Sequence, residues 1–126
     1  MKKILSIIFI LFTSLIYSQE FSRAYLHVNL IISSESIQNT DASSAFTFNI
    51  NKNLLKFYKD DGTINDYIYL GDPVYATDSE NDSYTLIKAI NPHTSIIWYF
   101  YIYKYDVFMY NEEYDIIIRF YNLEKN

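Results

Sequence analysis

The sequence predicts an all-β protein: an antiparallel meander forming a small barrel or a sandwich after an N-terminal signal helix. Three observations predict it. Tyr, Ile, Phe, Thr and Val dominate the chain after residue 18, and these suit a pleated, half-buried surface. Apolar residues alternate with period two in several segments, and in the clearest of them, Ile96 to Tyr105, no helical period of 3.6 fits as well. Turn chemistry recurs every 8–12 residues, the spacing of short strands in a meander.

The chain opens with Met1-Lys2-Lys3, a basic start, followed by the apolar run ILSIIFILFTSLIY from Ile4 to Tyr17 and the polar exit Ser18-Gln19-Glu20. These are the basic, apolar and small-residue regions of a secretory signal peptide. The 14-residue run is shorter than the roughly 20 residues needed to span a bilayer. Residues 1–18 are therefore read as a signal peptide and 19–126 as a single β domain, exported to the periplasm or secreted. At 108 residues the exported part is long enough for one core.

Strands are expected at 24–32, 45–50, 53–59, 64–70, 74–77, 84–90, 96–104, 106–110 and 114–121. The clearest alternation runs from Ile96 to Tyr105. Ile96, Trp98, Phe100 and Ile102 share one face; Ile97, Tyr99, Tyr101, Tyr103 and Tyr105 share the other. Ile116, Ile118 and Phe120 repeat the pattern against Asp115, Ile117, Arg119 and Tyr121, as do Phe46, Phe48 and Ile50 against Ala45, Thr47 and Asn49. Asp60-Asp61-Gly62 is a hairpin signal, Gly71-Asp72-Pro73 ends a strand, and Asp78 to Ser83 is a polar loop. Asn91-Pro92 breaks the chain again, and Asn111-Glu112-Glu113 separates the last two strands. Tyr105-Asp106 is either a tight turn or a bulge. Ser33 to Ser44, SSESIQNTDASS, lacks alternation and is expected to be a long loop or a short helix.

An exported meander of eight or nine strands resembles lipocalin-like barrels in architecture. The glycine–Trp signature that opens those proteins is absent, since the chain reads Gln19-Glu20-Phe21-Ser22 at that place. The Ser18-Gln19 exit and the Ile-, Asn-, Lys- and Tyr-rich composition resemble short secreted β-rich proteins of flavobacteria. That resemblance implies a host with two membranes and implies no activity.

Composition excludes several chemistries. With no cysteine, the chain has no disulfide framework, thiolate nucleophile or thiolate metal ligand. Without Lys2 and Lys3, eight basic residues face fifteen acidic ones, a formal charge of −7. Such a surface argues against nucleic acid and against an anionic membrane. His27 and His93 are 66 positions apart with no local ligand spacing, so no metal site is expected. The loop from Asp78 to Asp82 is rich in oxygen ligands but fails the calcium-loop pattern, with Ser83 and Ala89 where a glycine and a glutamate are required. Asn81-Asp82-Ser83 matches a glycosylation acceptor pattern. Asp60, Asp61, Glu112, Glu113 and Asp115 sit at turns, where adjacent pairs do not converge. No nucleophile, base and orienting acid occur together, so the chain is expected to be no enzyme and to carry no cofactor.

One feature points to function. Tyr99, Tyr101, Tyr103 and Tyr105 form a row on one strand face, with Tyr110, Tyr114 and Tyr121 on neighbouring strands. Tyrosine combines rigid area with a hydroxyl, and contiguous aromatic surface binds protein, peptide or glycan. The expectation is an exported binding protein that uses this row. The alternative is a lipocalin-like carrier of a small apolar ligand, with Phe46, Phe48, Trp98 and Phe100 lining an internal cavity.

Overall fold

The computed structural model describes residues 20–122; the expected signal helix and the extreme C-terminus lie outside the described residues. Nine antiparallel strands follow in order: β1 (Glu20–Ile32), β2 (Glu35–Asn49), β3 (Leu54–Tyr58), β4 (Ile64–Tyr69), β5 (Val74–Thr77), β6 (Ser83–Ile90), β7 (Ile97–Ile102), β8 (Val107–Asn111) and β9 (Ile116–Tyr121). They form one sheet in the order β4-β3-β2-β1-β9-β8-β7-β6-β5, and an additional β4–β6 pairing closes it into a barrel-like ring. β6 is shared on its closing edge: β4 pairs with Ala89 and Ile90, while β5 pairs with Ser83 to Leu86. The chain steps from one to the other through Gly71, whose φ of 149° favours glycine.

The expectation of a loop or helix at Ser33 to Ser44 is corrected. Ser33 and Ser34, at φ 51° and 68°, make a two-residue turn, and the chain returns at once along β1 as the first half of β2. Positive φ at both central residues is the geometry that fits the strand twist of a hairpin. Residues 35–41 are exposed throughout, so neither face carries the apolar alternation by which a strand is read. Their ladder to β1 holds them extended. The register shifts between Tyr25 and His27, and again between Leu30 and Ile31. Beyond the last residue of β9 the Asn122 side chain continues the ladder: Leu26 N–H donates to its Oδ1 (2.9 Å) and its Nδ2 donates to the Ala24 carbonyl (3.1 Å).

Inward-facing side chains fill the ring with aromatic rings. Phe46, Phe48, Leu55 and Phe100 are 0% exposed, and Tyr25, Tyr67, Ile87, Met109 and Phe120 are buried beside them. Phe46 lies at the centre of this set: its ring centroid is 4.7 Å from Phe57, 4.8 Å from Phe120 and 5.9 Å from Phe48. The alternation expected for Trp98, Phe100 and Ile102 and for Ile118 and Phe120 therefore does point into the core.

Asparagine ends three strands with the same device. The Oδ1 of Asn49, Asn91 and Asn111 accepts the N–H of Lys52, His93 and Tyr114 respectively, at 2.9–3.1 Å. Asn111 is 2% exposed and also donates to the Ile97 carbonyl at 3.4 Å. These side chains satisfy turn N–H groups that would otherwise go unpaired.

Candidate functional site

The strand registers place the outer face of β6–β9. Because Ile87, Phe100, Met109 and Ile118 point inward in one ladder row, the rows on either side of it point out. The first of these reads Lys88–Tyr99–Tyr110–Ile117, and the second Leu86–Tyr101–Phe108–Arg119. Six of these eight side chains are apolar or aromatic. The outer face of β1–β4 differs: one row there reads Ser22–Thr47–Lys56–Asp66, beside Ala24, Ala45, Tyr58 and Ile64.

Three of the four expected tyrosines are on this face. Tyr99 and Tyr110 face each other across β7 and β8 with centroids 6.3 Å apart, and Lys88 Nζ lies 5.8 Å over the Tyr99 ring. Tyr101 and Tyr103 both approach Tyr84 of β6, at 5.5 and 5.4 Å. Tyr103 lies just past the end of β7, and Phe108 meets its ring edge-on at 5.6 Å. Tyr105 is a correction: it does not continue the strand face but sits in the β7–β8 turn, 71% exposed. The Tyr103 N–H donates to the Asp106 carbonyl (2.8 Å) and closes that turn. Tyr114 likewise sits in the β8–β9 turn, 56% exposed.

The aromatic face is not flat. Tyr101, Tyr103, Phe108, Tyr110, Ile117 and Asp115 line a depression of about 360 Å³. Partial burial pushes the Tyr101 hydroxyl above its ordinary range, reinforced by the neighbouring tyrosines. The Tyr103 hydroxyl is pushed up to about 12, by desolvation first and then by the carboxylate of Asp78, to which it donates at 3.1 Å. Asp78 is held below the usual carboxylate range, chiefly by the N–H groups of Asp82 (3.0 Å) and Glu80 (2.9 Å). Its oxygens thus organise the expected polar loop. Arg119 is fixed at the border of the face by Asp106 (Nε 2.9 Å, Nη2 2.8 Å), with its guanidinium 4.5 Å from the Tyr121 ring.

Sequence reasoning missed Leu86, Phe108 and Ile117. Each lies in a strand that was read correctly, but only the pairing of β6, β7, β8 and β9 brings them beside the tyrosines.

The remaining candidates do not assemble. His27 Nδ1 contacts Asp41 Oδ1 at 2.7 Å and its ring lies 5.3 Å from Tyr121, whose hydroxyl donates to Asn39 (2.7 Å). This set ties β2, β1 and β9 together. His93 belongs to the exposed turn capped by Asn91. Asp61 caps its own turn through Thr63, at 2.9 Å to the N–H and 2.6 Å to the hydroxyl. Among the described residues no group of three or more His, Cys, Asp or Glu is placed to hold a metal ion. No family model, curated protein or solved structure matches this chain.

Proposed function

We propose that this chain is an exported binding protein that engages a basic peptide or protein segment through the outer aromatic face of β6–β9. The observation that carries the reading is the pair of outward rows, Lys88–Tyr99–Tyr110–Ile117 and Leu86–Tyr101–Phe108–Arg119. Tyrosine faces offer cation–π contact and hydroxyl hydrogen bonds at low entropic cost. Glu112, Glu113 and Asp115 follow β8 at the border of this face, and the exported part has a formal charge of −7 from fifteen acidic and eight basic residues. Complementary charge steers a basic partner toward such a surface.

The interior does not favour the carrier alternative. Phe46, Phe48 and Phe100, which would line a lipocalin-like cavity, are 0% exposed, and Phe46 contacts both of the others. Close-packed rings leave little room for an apolar guest.

The test uses Tyr99→Ser combined with Tyr110→Ser, two side chains outside the core cluster. Binding to a Lys/Arg-rich peptide, its Glu-rich counterpart and neutral oligosaccharides is measured for the wild type and the double variant by titration calorimetry. The reading expects preference for the basic peptide, loss of that binding in the variant, and a melting temperature lower by less than about 8 °C. Preference for an oligosaccharide would transfer the face to glycan binding. Unchanged peptide binding in the variant would remove the face from the function.

A further inference from the structure

The geometry points to a second, separate ligand site: the cleft bounded by β1, β5, β6 and β7 takes a small organic anion with an apolar body, held by Arg23. Arg23 sits at an inward strand position, paired with Phe46. A charge placed there is costly unless it is engaged. Its Nη1 donates to the carbonyls of Tyr103 (3.0 Å) and Lys104 (2.8 Å), which fix the guanidinium in place with neutral dipoles. Among the described residues no carboxylate lies within ion-pair distance of it. The candidate counter-ions are committed or neutral. Asp106 is paired with Arg119, and Asp78 accepts from Tyr103, Glu80 and Asp82. The Tyr25 hydroxyl near Arg23 is pushed upward by burial and stays protonated at neutral pH. A guanidinium has five N–H donors, so a held but uncompensated one is suited to a bidentate anion.

The cleft supplies the rest of such a site. Its volume is about 640 Å³, within the range of small-molecule pockets. Phe21, Tyr75 and Ile102 form apolar walls, Thr77 and Thr85 add hydroxyls, and Lys104 adds a second cation. Among the described residues no Asp or Glu lines it, in a chain with fifteen acidic and ten basic residues. By contrast, Asp115 lines the depression beside Tyr101, and Asp60 lines the hollow beside His27. The floor is rigid, since Phe21 stacks on the fully buried Phe48 at 4.8 Å. A carboxylate or sulfonate on Arg23 would place an attached ring or short chain against Phe21 and Ile102.

Two fluorescent probes of similar shape test this: 8-anilinonaphthalene-1-sulfonate, an anion, and N-phenyl-1-naphthylamine, which is uncharged. The wild type is expected to bind the sulfonate saturably at one site. Arg23→Gln should weaken it by about ten-fold or more, the loss of a charge-assisted hydrogen bond, while circular dichroism and naphthylamine affinity stay unchanged. Tyr110→Ser, on the aromatic face, should leave sulfonate binding unchanged and so separates the two sites. If Arg23→Gln fails to fold, Lys104→Glu at the exposed turn decides: it should weaken the sulfonate several-fold and spare the naphthylamine. Absence of saturable sulfonate binding to the wild type would overturn the assignment. So would equal affinity in a folded Arg23→Gln variant, or equal loss of both probes in a folded charge variant.

Discussion

Replacing Phe46 by alanine tests whether the ring is a packed core or a vessel. Phe46 is 0% exposed and its ring meets Phe57, Phe120, Phe48, Tyr25 and Phe100 at centroid distances of 4.7, 4.8, 5.9, 6.3 and 6.4 Å. Loss of the benzyl group forfeits about 2–3 kcal/mol of burial. The hole left, about 80–100 Å³, adds about 2 kcal/mol if its walls cannot close in. Those walls are rings held by strands on opposite sides of the closed sheet, so collapse is limited. The expected loss is about 4–5 kcal/mol, a large part of the roughly 5–15 kcal/mol by which small domains are stable. In urea the midpoint should fall by about 2 M if the slope is about 2 kcal/mol per M. Phe46→Leu, which keeps most of the volume, should cost about 1–1.5 kcal/mol and remain folded for comparison. A loss below about 2 kcal/mol for Phe46→Ala would refute the packing argument. It would mean an interior already loose or hydrated, and would reopen the carrier reading.

Two further outcomes follow from local chemistry. Tyr25, Tyr67, Tyr69, Tyr101 and Tyr103 all have hydroxyls raised above the ordinary value of 10.0, in each case with burial as the largest cause. Unfolded tyrosines release protons near 10, whereas these hold theirs to higher pH. The stability they contribute is therefore complete below pH 10 and is lost as pH rises through the folded values, about 12 for Tyr103. Absorbance titration at 295 nm should show a late group of tyrosines that ionises together with loss of near-ultraviolet dichroism; a single transition near 10 in a still-folded protein would contradict this. At the β1–β2 turn, Ser33 and Ser34 occupy φ 51° and 68°, which Asn and Gly adopt with less strain. Ser33→Asn with Ser34→Gly should raise the melting temperature by a few degrees, and a fall would contradict the turn geometry.

The sequence by itself determined the class, nearly every strand and most of the core. Alternation at Trp98–Phe100–Ile102 and at Phe46–Phe48 identifies the inward side chains because a strand repeats every two residues, a property of the local backbone. Asp60-Asp61-Gly62 marks its turn for an equally local reason, with Gly62 at φ 86° and Asp61 capping Thr63. Residues 35–44 were illegible because their extended form comes from pairing with β1 and not from their own pattern. Tyr105 was misplaced because alternation continues through a turn in the sequence but not in space. Ring closure was equally hidden: it rests on two residue pairs between β4 and β6 and on the step at Gly71, with no residue pattern to announce it. Both candidate sites belong to this second class. The tyrosine row was visible, but its width came from Leu86, Phe108 and Ile117 on adjacent strands. Arg23 carried no signal in the sequence; only the approach of the β7–β8 turn carbonyls, 80 residues away, holds it at a cleft that, among the described residues, no carboxylate lines. Register across a sheet is set by long-range pairing, and the chain records the residues of a site without recording which of them meet.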